Sequence, residues 1–274
     1  MVGNADDRDQ GGPLTILKLG GSVITDKNTP ETVDDAALDR VLDAIAEAQP
    51  DSGAGTIDDG NDGNQLPRLI IVHGGGSFGH VHAAEHGVST TDGTSNAAAG
   101  AAIHGAMKQL NRVVIDQLQS RGVPALPVHP LSVATRNTEG DLSLPTGAVT
   151  GLLDAGFIPV LHGDVISHAG CGLTVLSGDE IVTSLARSLH ATRVGLCSTV
   201  PGVLDEHERV IPSITAFEDV ESVLGESDST DVSGGMAGKV RELLALGAPA
   251  HIFGPDAVST FLAGHQAGTR IDGR

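Results

Sequence analysis

Leu69-Ile-Ile-Val-His-Gly-Gly-Gly-Ser-Phe-Gly-His80 runs from an apolar strand into three glycines and reaches a histidine four residues beyond them. Four consecutive apolar residues in an acidic, alanine-rich chain read as a parallel strand buried on both faces. Three glycines allow a sharp turn that presents bare backbone N–H groups to an anion. A helix beginning at Ser77 would aim its positive end into the same space, with His80 about one turn in. A tight turn without a ligand is the alternative reading of a glycine run. Two further turns, Gly20-Gly21 and Gly234-Gly235, favour the anion.

Working outward, strands are predicted at Leu14–Leu19, Ala125–Val128, Leu131–Ala134, Ile158–Leu161, Arg193–Cys197, Ala250–Phe253 and Gly268–Ile271. Helical spacing of apolar residues covers Val33–Ala48, Ser95–Ser120 and Ala148–Ala155. Ser177 is placed to cap a helix over Glu180–Leu189, another helix runs from the third glycine turn to Leu246, and Asp164–Val175 reads as a hairpin. Strands alternating with helices predict an α/β fold: an open, mainly parallel sheet sandwiched by helices, with ligands at the carboxyl ends of strands. Residues 1–13 read as a disordered tail, Asp51–Gln65 as a solvated insertion, and Glu226–Gly235 as an acidic loop.

The 274 residues include 16 Lys plus Arg against 35 Asp plus Glu, a formal charge of −19, which opposes a nucleic-acid or anionic-membrane partner. No Trp or Tyr is present, so stacking platforms for bases are scarce. The acid excess reads as adaptation to high salt, where self-repulsion is screened. Cys171 and Cys197 read as reduced core residues of a cytoplasmic protein, and no signal peptide or spanning segment is seen.

Lysine is the sharper clue. Only four of the sixteen cationic residues are lysines. Lys18 precedes Gly20-Gly21, Lys27 lies five residues past Ser22, and Lys239 lies four past Gly235; Lys108 alone has no glycine turn beside it. Three compact ammonium groups beside three anion-binding turns suit phosphoryl transfer, which asks for alignment and charge compensation. The alternative is three surviving surface lysines. Asp179 and Asp164 are candidates to orient the lysines or reach magnesium, or are simply cap and turn residues. His73, His80, His82 and His86 alternate faces, which disfavours zinc, so no metal-ligating set is assigned.

Together, Lys18-Leu-Gly-Gly-Ser22, Asp26-Lys27, His73-Gly-Gly-Gly-Ser-Phe-Gly-His80, His162-Gly-Asp164, Ser177-Gly-Asp179 and Gly234-Gly-Met-Ala-Gly-Lys239 resemble the amino-acid kinase superfamily and, within it, the archaeal isopentenyl phosphate kinases. The resemblance spans Leu14 to Ile271. It implies ATP and Mg2+ as cofactors, isopentenyl phosphate as acceptor, and a homodimer. It implies that Lys18, Gly20, Gly21, Ser22, Gly76, Gly235 and Lys239 contact ATP and that Lys27 stabilises the transferred phosphoryl. Gly75, His80 and Gly163 meet the acceptor, and Asp179 organises the lysines. It also implies one kinase domain over 14–274, with an acceptor lobe over about 14–168 and a nucleotide lobe over about 169–274. Two alternatives share these motifs: a kinase for another small phosphate or phosphonate, as in the fosfomycin kinases, and a non-catalytic nucleotide-binding protein of the same fold. Where relatives often carry Asp-Val-Asp-Gly, this chain has Thr199-Val200-Pro201-Gly202. An apolar tail pocket is required, and the helix bearing Ala98, Ala99, Ala102, Ile103 and Met107 is the expected wall.

Overall fold

The computed structural model describes residues 12–49, 68–224 and 235–273. Residues 1–11 of the predicted tail, the insertion at 51–65 and residues 226–234 of the acidic loop lie outside the described residues.

The described strands are, in chain order, β1 (Leu14–Leu19), β2 (Arg68–His73), β3 (Ala125–Pro127), β4 (Thr135–Arg136), β5 (Leu142–Ser143) and β6 (Ile158–His162). They continue with β7 (Asp164–His168), β8 (Gly172–Leu176), β9 (Arg193–Cys197), β10 (Ser213–Ile214), β11 (Ala250–Phe253) and β12 (Thr269–Ile271). The helices are α1 (Gly21–Ile24), α2 (Asp35–Glu47), α3 (Gly76–Glu85), α4 (Ala97–Ser120), α5 (Gly147–Asp154), α6 (Gly178–Ser188), α7 (Glu221–Leu224), α8 (Gly235–Leu244) and α9 (Val258–Leu262).

Eight strands form one sheet in the order β10-β12-β11-β9-β1-β2-β6-β3. Every neighbouring pair is parallel except β11 with β12. The predicted open, mainly parallel sheet is therefore present. Side chains alternate across it, and helices cover both faces. Ile16, Ile70 and Val72 pack with Ile181, Leu185 and Val240 of α6 and α8. Leu17, Leu19 and Ile71 pack with Leu38, Leu110 and Phe261 of α2, α4 and α9. A strand's period of two explains the split, and it places Lys18, in phase with Leu14 and Ile16, on the α6 side.

A second sheet, β5-β4-β7-β8, was not expected as a separate unit. Its β7–β8 pair is the predicted hairpin. Leu131–Ala134 is not a strand: Pro130–Ser132 is a turn of 3-10 helix, and pairing resumes only at Thr135. Proline fixes its own φ near the helical value, so the helical turn wins over the apolar spacing.

Helix boundaries follow their caps. Asp34 accepts from the Ala37 N–H at 3.0 Å, and Asn96 accepts from Ala98 at 2.9 Å, which starts α4 at Ala97. Ser177 and Glu180 form a reciprocal capping box at α6, with Glu180 N–H donating to Ser177 Oγ (3.2 Å) and Ser177 N–H to Glu180 Oε2 (2.9 Å). Gly122, at φ +80°, closes α4.

Candidate active site

Four adjacent strands, β9, β1, β2 and β6, end on one register line: Cys197, Leu19, His73 and His162 are successive partners. Their next residues leave the sheet together at its carboxyl edge, where open parallel sheets bind ligands. The ladder extends one step further, with Gly20 N–H donating to Cys197 O, Gly74 N–H to Leu19 O (both 2.9 Å) and Gly163 N–H to His73 O (3.0 Å). Above this edge lies a cleft of about 650 Å³.

Close backbone approach explains the glycines. A Cβ on Gly21 would lie 2.1 Å from Gly76 N, and one on Gly76, at φ +49°, would lie 2.1 Å from Thr25 Oγ1. The first and second glycine turns are thus packed main chain against main chain, which side chains would forbid. Thr25 fastens them: its hydroxyl donates to Gly21 O (2.8 Å) and accepts from Ser77 N–H (3.0 Å). Sequence reasoning missed Thr25, whose only signal is its place in the turn after Gly20-Gly21.

Every assigned site residue lines the cleft except Gly235. Gly235 is buried at the start of α8, with φ +60°, and delivers Lys239 to the cleft one turn later. Lys18 Nζ donates to Asp179 Oδ1 at 2.6 Å, with both side chains nearly buried. Burial pushes the Asp179 carboxyl up, but the ammonium groups of Lys18 and Lys239 outweigh it and hold its pKa below the usual range. Lys27 is exposed, on a loop closed by the Thr25–Val33 bridge and tied to α3 by Glu31 N–H donating to Ser77 O (3.1 Å). His80 sits four residues after the first residue of α3, one turn in as expected, exposed at the cleft beside Gly75 and Met107. Lys108 is exposed on α4 and does not line the cleft.

Three expectations are corrected. Asp164 orients no lysine: both its oxygens accept from His104 Nδ1 at 3.0 Å, and Leu131 N–H donates to it at 3.2 Å. Its strand turns away after Gly163, which carries the carboxylate beneath α4 rather than toward α6. Of the proposed α4 wall, Ile103 and Met107 line the cleft while Ala98 is exposed and Ala99 is buried elsewhere, because only one helical stripe faces the opening. Cys171 is exposed in the β7–β8 turn, whereas Cys197 is buried as expected.

Sequence reasoning also missed a polar cluster at the ends of β2 and β6: His73, Asn111, His129 and His162, with His104 and Asp164 beside it. Asn111 alone left a trace, a polar residue in phase with the apolar stripe of Met107, Leu110, Val114 and Leu118. Among the described residues no three His, Cys, Asp or Glu side chains gather to hold a metal, and Asp179 and Asp164 are each engaged with a neighbouring side chain. Among the described residues no helix is long and apolar enough to cross a membrane.

A parallel sheet with glycine turns and lysines at its carboxyl edge defines the class, and the chain belongs to the Amino acid kinase family, whose model matches residues 13–253. Within that class it is 59% identical over 260 residues to the isopentenyl phosphate kinase of Haloferax volcanii, covering 95% of this chain and 99% of the relative. It is 32% identical to the isopentenyl phosphate kinase of Methanocaldococcus jannaschii, covering 94% and 98%. A solved structure of an isopentenyl phosphate kinase superposes with a TM-score of 0.75 at 28% identity, covering 94% of this chain and 99% of that one.

Proposed function

We propose that this chain transfers the γ-phosphoryl group of ATP to isopentenyl phosphate, giving isopentenyl diphosphate and ADP, a step of isoprenoid synthesis. The observation that carries this reading is the meeting, in one cleft, of Lys18, Lys27 and Lys239 with a glycine turn that ends in His80. The 59% identity to a protein of that name supports it independently.

An oxygen of the acceptor phosphate attacks the γ-phosphorus, and the bond to the β,γ-bridging oxygen breaks with its electron pair leaving on ADP. The nucleophile is already an anion, so no general base is needed, which fits a cleft whose carboxylates are both engaged. Catalysis then consists of alignment and charge compensation. Lys18, Gly20, Gly21, Ser22, Gly76 and Lys239 contact ATP, buried Gly235 begins the helix that brings Lys239 to it, Asp179 holds Lys18 in place, and Lys27 meets the moving phosphoryl group. Gly75, His80 and Gly163 hold the acceptor phosphate, while Ile103 and Met107 face its apolar tail. Mg2+ enters as part of the MgATP substrate, bound mainly through phosphate oxygens.

On this reading the acceptor lobe covers about 14–168 and the nucleotide lobe about 169–274 of one domain. Thr199, which lines the cleft, stands where an acidic run is common among relatives and is the residue to vary when nucleotide preference is examined. A halophile's cytoplasm is the setting that fits the −19 charge and the Haloferax relative, and a homodimer is the assembly proposed.

The test is phosphorus NMR on purified protein in molar KCl with MgATP and a panel of acceptors: isopentenyl phosphate, fosfomycin, acetylglutamate and carbamate. Isopentenyl diphosphate is the expected product. Turnover of another acceptor but not isopentenyl phosphate, or of none, overturns the reading.

A further inference from the structure

Two neighbouring strands end in the same dipeptide. His73-Gly74 closes β2 and His162-Gly163 closes β6, and the two histidines are register partners. Both side chains are fully buried, their rings stacked with centroids 5.6 Å apart. Each uses Nδ1 on the carbonyl of the glycine that follows it, at 3.1 Å for Gly74 O and 2.8 Å for Gly163 O. Asp164 Oδ2 is 4.0 Å from His162 Nδ1, so the carbonyl is the nearer acceptor.

A carbonyl only accepts, so Nδ1 carries the proton in both rings. Burial drives both imidazoles toward the neutral form, which leaves Nε2 as a lone pair. On His162 that lone pair accepts from His129 Nδ1–H at 2.8 Å. On His73 it lies 3.0 Å from the Asn111 side-chain amide, which must turn its NH2 group toward the ring. Each histidine is thereby locked in one tautomer by a partner behind it.

The chemical consequence lies one atom further on. Carbonyl and N–H point in opposite directions across a trans peptide, and every described peptide is trans. Drawing Gly74 O toward buried His73 throws Gly75 N–H the other way, toward the cleft that Gly75 lines. Gly75 N lies 4.0 Å from where a Cβ on Gly163 would be, so the two glycines face each other there. Gly163 is held on both sides, its N–H on His73 O and its carbonyl on His162.

We propose that His73 and His162 are positioning residues for the acceptor phosphate: as Nδ1–H donors, His73 fixes the Gly74-Gly75 peptide plane and so aims Gly75 N–H at the anion, and His162 fixes the Gly163-Asp164 plane that faces it. The identity of the acceptor rests on the function proposed above; the geometry does not.

Long-range nitrogen–proton NMR of the histidine rings in the full chain reads the tautomers directly. Nδ1–H signals for His73 and His162 are expected, and Nε2–H on both overturns the proposal. Titration with inorganic phosphate should move the Gly75 amide resonance in the wild type and leave it nearly still in His73→Gln; equal movement in both overturns it. In kinetics, His73→Asn keeps an amide N–H near the Nδ1 position, whereas His73→Gln carries it out toward Nε2. The Gln variant should raise the acceptor KM about tenfold, the worth of one hydrogen bond to a charged group, with the KM for ATP within about twofold and the Asn variant near wild type. Equal losses in Asn and Gln, or a parallel rise in the KM for ATP, reduce the histidines to packing. The two NMR readouts need no turnover, so they decide the proposal even if isopentenyl phosphate proves not to be the substrate.

Discussion

Lys18 and Asp179, separated by 161 residues in sequence, lie 2.6 Å apart at the base of the cleft. Strand parity turns Lys18 toward α6, and the Ser177–Glu180 capping box begins that helix so that Asp179 falls in its first turn. Asp179→Asn leaves a nearly buried ammonium group with a weak partner. It should cost about 3 kcal/mol of stability and lower kcat about 100-fold, read by thermal melts and initial rates. The native carboxyl titrates below its ordinary value, so its contribution is full above the ordinary Asp range and is lost as pH falls through the depressed pKa. The gap in melting temperature between wild type and variant should therefore close at acid pH.

His80 is exposed at the cleft one turn into α3, where we propose that the acceptor phosphate binds. His80→Ala should raise the acceptor KM by about 10- to 100-fold, the range for a charge-assisted hydrogen bond, and leave the KM for ATP nearly unchanged. Equal rises in both constants would show that His80 serves the whole cleft.

Gly21 packs on the main chain of Gly76, with an added Cβ 2.1 Å from the Gly76 nitrogen. Gly21→Ala must push the two glycine turns apart, so activity should be lost and stability should fall by roughly 1–3 kcal/mol. Gly105 on α4 has open space where a Cβ would go. Gly105→Ala should gain about 0.5–1 kcal/mol through helix propensity alone, which makes it the control in the same denaturation series.

The two thiols should differ sharply toward a thiol reagent. Cys171 is exposed, while burial pushes the Cys197 thiol up to about 12. One thiol per chain is expected to react in the native protein, and the second only after unfolding.

The formal −19 charge makes a further prediction about the folded state as a whole. Raising KCl from about 0.1 M to about 1 M shortens the screening length from about 10 Å to about 3 Å, so the melting temperature should rise. A flat profile would show that the acid excess is not adaptation to salt.

The legible parts of the site were those with local signatures. Glycine runs after apolar strands, lysines beside them in a lysine-poor chain, and a serine cap three residues before a glutamate all lie within a few residues of one another. The illegible parts depend on what comes to rest nearby. His73 and His162 looked like strand ends because nothing local says that β2 and β6 are neighbours or that Asn111 and His129 stand behind them. The motif of Asp164 leaves it open between a partner for the lysines, a magnesium contact and a turn residue, and the hairpin that begins there carries its carboxylate to His104. Cys171 was misplaced because the glycines around it give no burial pattern to read.

By itself the amino-acid order determined the period of each element, the face on which Lys18 falls, the glycines that permit close approach, and the charge. These are consequences of backbone geometry and side-chain chemistry over one or two turns of chain. Only the tertiary structure decided that β9, β1, β2 and β6 lie side by side and end on one line, bringing Lys18 to Asp179 and Gly75 to Gly163. That outcome depends on which crossover buries both faces of the sheet at once, and so on packing summed over the whole chain.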